Sequence, residues 1–197
     1  MNYYAIQVKT RTENKFIRLY KASNPKIILP VHFPQRQLDI RKNGKIKPAK
    51  LPVFPGYIFI EASCDEEIKV CQWDFRRLQG FHRFLASNNE IRSLGNRDLD
   101  LVLHFINSAR PVVGRSKVYF DENSRIVVLE GPLSGLEGRI LKVDRRKGRA
   151  KIKLDIYNDS FAIDLAFEVI QPSGGLNEKF KTAIHNRSGI RRAHPCE

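Results

Sequence analysis

Residues 3–9 form a short aromatic and β-branched run, from Tyr3 and Tyr4 through Ile6 and Val8 to Lys9, the pattern of a strand. Thr10 or Thr12 is placed to cap a helix that carries Phe16, Ile17, Leu19 and Tyr20 at turn spacing, and Asn24-Pro25 ends it. Residues 26–40 read as extended, with Pro30 and Pro34 marking an edge or irregular strand. Asn43-Gly44 between extended stretches predicts a hairpin with a basic tip. A strong strand follows over 51–62 (LPVFPGYIFIEA), then a helix over 65–78 on Ile68, Val70, Cys71 and Phe75. A strand over 80–86 and a helix over 97–107, capped by Asn96, complete the first part. The order β-α-β-β-α-β-α predicts an α+β fold in which helices cover an antiparallel sheet.

The pattern changes at 108–115 (SARPVVGR), which reads as a linker. Beyond it come short candidate strands at 118–120, 125–129, 139–144, 150–156, 161–165 and 168–170. Gly131-Pro132, Gly135, Gly138, Lys147-Gly148 and Asn158-Asp159 punctuate them. Close-set strands of this kind predict a small β-barrel. The expected units are 1–108, a linker at 109–116, a barrel at 117–172 and a basic flexible tail at 173–197 with Lys179, Lys181, Arg187, Arg191 and Arg192.

Composition adds one strong signal. With 42% hydrophobic and 28% charged residues the 197-residue chain is ordinary globular material, without a bilayer-spanning apolar run or a leader, so a cytoplasmic protein is expected. Lys and Arg number 35 against 21 Asp and Glu, a net charge of +14, which favours polyanionic partners. Cys64, Cys71 and Cys196 lack zinc-site spacing, and His32, His82, His104, His185 and His194 complete no ligand cluster, so neither metal nor cofactor is expected. No nucleophile–base or carboxylate pair stands out, and the expected activity is binding without catalysis.

Two blocks carry a family resemblance. YYAIQVKTRTENK (3–15), LPVFPGYIFIEA (51–62) and GFHRFLA (80–86) resemble the amino-terminal (NGN) domain of the NusG transcription factors. RIVVLEGPLSGLEGRILKVDRRKGRAKIKLDI (125–156) resembles a KOW motif, which implies an SH3-like β-barrel. The resemblance implies a monomeric elongation or antitermination factor whose first domain docks on the clamp helices of RNA polymerase. Alternation alone puts Tyr57 and Phe59 on one strand face and Ile58 and Ile60 on the other, and buries both sets. The resemblance instead implies that Gln7, Phe54, Tyr57, Phe59 and Phe84 lie at the polymerase contact, on a sheet face that helices leave free.

The helix over 11–21 carries Lys15, Arg18 and Lys21, either as a solvated face or, as in specialised relatives such as RfaH, as contacts to non-template DNA. Trp73, where some relatives touch the polymerase across the cleft, is expected to be packed. Arg139, Lys142, Arg145, Arg146, Lys147, Arg149, Lys151 and Lys153 meet only Asp144 in their stretch, a density that points to RNA. That density resembles the LoaP subgroup of antiterminators, whose KOW domain is associated with RNA hairpins. The general factor instead contacts a small-subunit ribosomal protein or Rho through its KOW barrel. A ribosome-associated RNA-binding protein is the rival reading. Conversion of the barrel to helices, as in RfaH, is disfavoured by Gly131, Pro132, Gly135, Gly138 and Gly148 and by β-branched Val127, Val128, Ile140, Val143, Ile152 and Ile156.

Overall fold

A computed structural model describes residues 1–23, 25–85, 87, 90–109, 112–157 and 159–170, so the expected tail at 173–197 lies outside the described residues. The first sheet joins β1 (Asn2–Val8), β2 (Val31–His32), β5 (Tyr57–Ala62) and β6 (Phe81–Phe84) in the order β2-β5-β1-β6. β1 runs antiparallel to β5, pairing Ala5 with Phe59, Ile6 with Ile58 and Gln7 with Tyr57. Cross-strand partners share a face, so this register sorts the side chains into two sets.

One set packs under α1 (Glu13–Ala22) and α2 (Asp65–Arg76). Tyr4, Ile6, Val8, Ile58, Ile60 and Phe84 meet Phe16 and Tyr20 of α1 and Ile68, Cys71 and Phe75 of α2. Tyr20 stacks on Phe75 at 4.3 Å between ring centroids. Thr12 stands at the N-cap of α1, but its hydroxyl donates to the Lys9 carbonyl at 2.7 Å and does not cap the helix. At α3 (Asn96–Ser108) the cap position belongs to Gly95, one residue before the expected Asn96.

The other set is also covered, contrary to the expectation of a free sheet face. Ala5, Tyr57, Phe59 and Leu85 join Phe54 and the α3 residues Leu101, Val102 and Phe105 in a second core, which continues into the carboxy-terminal half. β3 (Gln35–Lys42) and β4 (Lys45–Pro52), each of eight residues, form a separate two-stranded ribbon. Its two-residue turn uses Asn43 at φ 51° and Gly44 at φ 75°, the conformation that Asn-Gly favours.

The carboxy-terminal half is a curled five-stranded sheet, β8-β7-β11-β10-β9, built from β7 (Ser116–Phe120), β8 (Ile126–Glu130), β9 (Ile140–Asp144), β10 (Arg149–Ile156) and β11 (Asp159–Val169). β11 is one long strand where the sequence suggests two, and it pairs antiparallel with β10 and parallel with β7. Strict alternation in β10 buries Ala150, Ile152, Leu154 and Ile156 and turns Lys151, Lys153 and Asp155 outward. The segment expected as a free linker is attached to the ribbon: the Val113 N–H donates to the Gln35 carbonyl at 2.7 Å, and Val113 is fully buried.

Candidate functional site

The FPGY turn is built from below by a buried acid. Glu13, at the start of α1 and 4% exposed, accepts the Gly56 N–H at 2.8 Å. The Val8 N–H donates to the Gly56 carbonyl at 2.8 Å. These bonds fix the backbone between Phe54 and Tyr57. Glu13→Ala leaves the Gly56 donor buried without a partner and is expected to cost about 2 kcal/mol. Glu13→Gln keeps an acceptor and recovers most of that loss. Urea denaturation of the two variants measures the difference, and equal stabilities would contradict the role.

Above the turn sits an aromatic cluster. Phe54 meets Phe59 edge-on at 5.1 Å and Phe105 of α3 at 5.6 Å. Phe161 of β11 closes over it, edge-on to Phe54 at 6.1 Å and stacked on Tyr57 at 6.5 Å. The Tyr57 hydroxyl donates to the Asp159 carboxylate. Burial, then that hydrogen bond, pushes the Tyr57 hydroxyl well above its ordinary range and keeps it a neutral donor. Two more bonds tie α3 to the second half: His104 Nε2 lies 2.8 Å from the Pro132 carbonyl, and the Tyr157 N–H donates to Asp98 at 3.3 Å.

Four of the five expected contact residues gather here. Phe54, Tyr57 and Phe59 are buried in the cluster, and Gln7 lies beside Tyr57, its amide oxygen accepting from Arg83 at 2.8 Å. Phe84 does not join them. It pairs with Ile6, whose side points to the helices, and it packs edge-on against Phe75 at 6.2 Å. Phe161 and Asp159, which complete the cluster, come from a segment that reads only as a barrel strand and a turn.

On α1, Lys15, Arg18 and Lys21 are all exposed, and Lys15 Nζ lies 3.0 Å from the Gln79 side-chain oxygen. Trp73 is 65% exposed instead of packed, with the Arg76 guanidinium 5.1 Å from its ring. A helix position that faces neither sheet nor neighbour leaves even an indole in solvent.

The basic stretch is less bare than its sequence suggests. Arg139 pairs with Asp155 at 3.5 Å, Lys153 with Asp155 at 3.4 Å and Lys151 with Asp164 at 3.7 Å. Lys147 pairs with Asp144 at 3.3 Å, and Lys142 and Arg146 are exposed. Arg145 lies over the Phe120 ring at 3.7 Å, and Arg149 donates to the Asp39 carbonyl of the ribbon. Nearby carboxylates therefore offset part of the charge, yet a cleft of about 300 Å³ is lined by Arg115, Arg145, Arg146, Lys147 and Arg149 with Asp39 as the acid in its lining and Asp144 paired to Lys147 beside it. Among the described residues no group of three or more His, Cys, Asp or Glu is placed to hold a metal, and no helix is long and apolar enough to cross a membrane.

Comparison with known proteins agrees with this architecture. The chain is 22% identical over 181 residues to the transcription termination/antitermination protein NusG of Helicobacter pylori strain J99, covering 87% of this chain and 98% of that one. It is 22% identical over 174 residues to the protein of the same name from Bacillus subtilis strain 168, covering 86% and 97%. A solved structure concerned with domain interaction in Thermotoga maritima NusG shares the fold at a TM-score of 0.52 and 17% identity, over 84% of this chain and 93% of that one. The NusG family model, described as transcription termination factor nusG, matches residues 1–103, more than half of the chain. With the FPGY-bearing sheet and the curled KOW-type sheet both in place, the chain belongs to the NusG family of transcription factors.

Proposed function

We propose that this factor binds RNA polymerase through the sheet face bearing Phe54, Tyr57 and Phe59, and binds RNA through the basic surface of its carboxy-terminal half. It acts in the cytoplasm by association and not by catalysis. The observation that carries the first half is the aromatic cluster itself. Three aromatic side chains of one strand and its entry turn gather on one sheet face, where Phe105 of α3 packs on Phe54 and Phe161 is the ring of the second half that covers Phe54 and Tyr57. Aromatic anchors of this kind suit a helical partner such as the clamp helices. Engagement requires Phe161 to leave, so the described arrangement is the resting one. Gln7, at the rim, can bond a polar group of the partner. Lys15, Arg18 and Lys21 lie on α1 against the opposite sheet face, a separate cationic surface suited to DNA phosphates.

The test is direct binding of the full chain to core RNA polymerase. Saturable binding is expected, with Tyr57→Ala weakening it roughly thirtyfold, the loss of about 2 kcal/mol at an anchor. Absence of binding by both the wild type and an opened variant overturns the reading. The carboxy-terminal basic surface supports the RNA reading on charge: the cleft beside the β9–β10 turn is lined by five cations, with the carboxylates of Asp39 and, paired to Lys147, Asp144 against them. Specialised antitermination of the LoaP kind follows from the same density.

A further inference from the structure

The ribbon β3–β4 carries a set of cations that the polymerase and RNA readings leave unused. Arg41, Lys42, Lys45 and Lys47 are exposed around its tip. The ion pairs found among the described residues include none of them. Like charges this close repel, and a solvated turn gains nothing from four of them.

The ribbon is also docked beside the basic cleft. Asp39, three residues before Lys42, accepts from Arg115 through its carboxylate and from Arg149 through its carbonyl. A strand rises about 3.4 Å per residue, so the ribbon tip begins roughly 10 Å from the cleft wall. On the other wall, Arg145 is held by the Phe120 ring and by its bond to the Ser124 carbonyl at 2.7 Å. Arg146 and Lys147 flank it at the exposed turn between β9 and β10. A smaller hollow of about 180 Å³ continues the cleft past Lys142, Lys147, Arg149 and Lys151, with Asp144 and Asp164 as its acids. The two cationic walls come from residues far apart in the chain, and the fold sets them side by side.

The chemistry of the walls narrows the ligand. No aromatic side chain is largely exposed on either: Phe120 lies beneath Arg145, and Phe167 is buried. On the ribbon the large exposed apolar residue is Ile46. Single-stranded binders need stacking platforms, and this surface offers none. It presents guanidinium and ammonium groups, some pinned in place, which suit the regularly spaced phosphates of a helical stem.

We propose that the ribbon tip and the β9–β10 turn form the two walls of a clamp for the sugar-phosphate backbone of a nucleic-acid double helix, with an RNA stem as its occupant. The clamp rests on the reading of the carboxy-terminal half as RNA-binding, and it adds the ribbon as a second, indispensable wall. It exists only while the two halves are held together, because Asp39 and Arg149 belong to different halves.

The test uses the full chain and a fluorescent RNA stem-loop, read by anisotropy over a series of KCl concentrations. Its arms are a DNA duplex of the same sequence, a single-stranded RNA of the same length, and a polyglutamate competitor. The ribbon variant Lys42→Gln/Lys45→Gln/Lys47→Gln and the turn variant Arg145→Gln/Arg146→Gln/Lys147→Gln alter exposed side chains, and unchanged circular dichroism verifies their folding. The ribbon variant is expected to bind the stem at least tenfold more weakly near 0.1 M salt. Its slope of log affinity against log salt should be shallower by about two to three, at roughly 0.9 for each phosphate that the ribbon no longer neutralises. If the turn variant loses affinity and the ribbon variant does not, the RNA reading survives and the clamp is overturned. If neither loses affinity, both fall. Equal binding of single-stranded RNA overturns a double-helical ligand. Binding of polyglutamate with the same ribbon dependence, without binding of RNA, makes the site one for acidic protein and overturns the proposal. Tighter binding of the RNA stem than of the DNA duplex supports RNA as the occupant, and the reverse order replaces it with DNA.

Discussion

Phe161→Ala is expected to uncover the aromatic face and to raise the affinity for the polymerase clamp helices. The ring stacks on Tyr57 at 6.5 Å and meets Phe54 at 6.1 Å, and among the described residues no other ring of the second half makes both contacts. Its apolar burial and its aromatic pairs together are worth about 2 kcal/mol, since the ring is only partly buried. That amount shifts the ratio of open to closed molecules roughly thirtyfold. A partner that binds only the open form gains affinity by as much as the open fraction rises. The Tyr57–Asp159 hydrogen bond weakens with the loss of its apolar cover, because water then competes for both groups. Hydrogen exchange is the sensitive readout. Amides of α3 and β5 should lose protection while those of α1 and α2, on the other sheet face, keep theirs. Uniform loss of protection would mean that Phe161 supports the whole fold and does not act as a cover. Unchanged polymerase affinity in a visibly opened variant would place the docking surface elsewhere.

The second large effect concerns the backbone of the carboxy-terminal half. Gly131→Ala is expected to cost about 3 kcal/mol or more, the sum of left-handed strain and overpacking against an atom that cannot move aside. Gly131 has φ 102°, and a Cβ there would lie 2.7 Å from Ser116 Cα and 3.0 Å from the Arg115 carbonyl oxygen. Ser116 is fully buried, and its hydroxyl accepts the Leu133 N–H at 2.9 Å. The added methyl therefore pushes apart β7 and the turn that places Leu133 in the core. Gly135 is the internal control: it has φ 81°, and a Cβ there would meet no atom within 4 Å. Gly135→Ala carries only the conformational cost, about 1 kcal/mol. Chemical denaturation of both variants separates strain from collision, and equal losses would refute the collision.

Several local features are legible before folding is considered. Asn43-Gly44 announces the ribbon turn because few other pairs adopt positive φ twice in succession. Residues 149–156 announce β10 because apolar and charged side chains alternate without a break. Phe54-Pro55-Gly56-Tyr57 announces the turn into β5, although the acid that holds it, Glu13, is 43 residues away. The face that Phe84 takes is hidden for a comparable reason. It depends on pairing with Ile6, and a short strand with a register shift nearby does not declare its partner.

Charge shows the same division. Between residues 139 and 153 only Asp144 is acidic, which reads as an unrelieved basic run. In the fold, Asp155 and Asp164 come from a neighbouring strand or the strand end, and Asp39 comes from the ribbon. In the folded surface Arg139, Lys147, Lys151 and Lys153 are each paired with a carboxylate, and the cleft beside them is lined by five cations and Asp39.

By itself the chain determined its strands, its turns, its basic character and the motifs of its family, since these depend on residue type and on spacing within a few positions. The tertiary structure decided which sheet face carries Tyr57 and Phe59, that α3 and Phe161 cover it, and that the ribbon lies against the β9–β10 turn. Periodicity specifies that a strand has two faces to bury or expose. What covers each face is settled by contacts between residues distant in the chain, and their free energy exists only once the chain has closed.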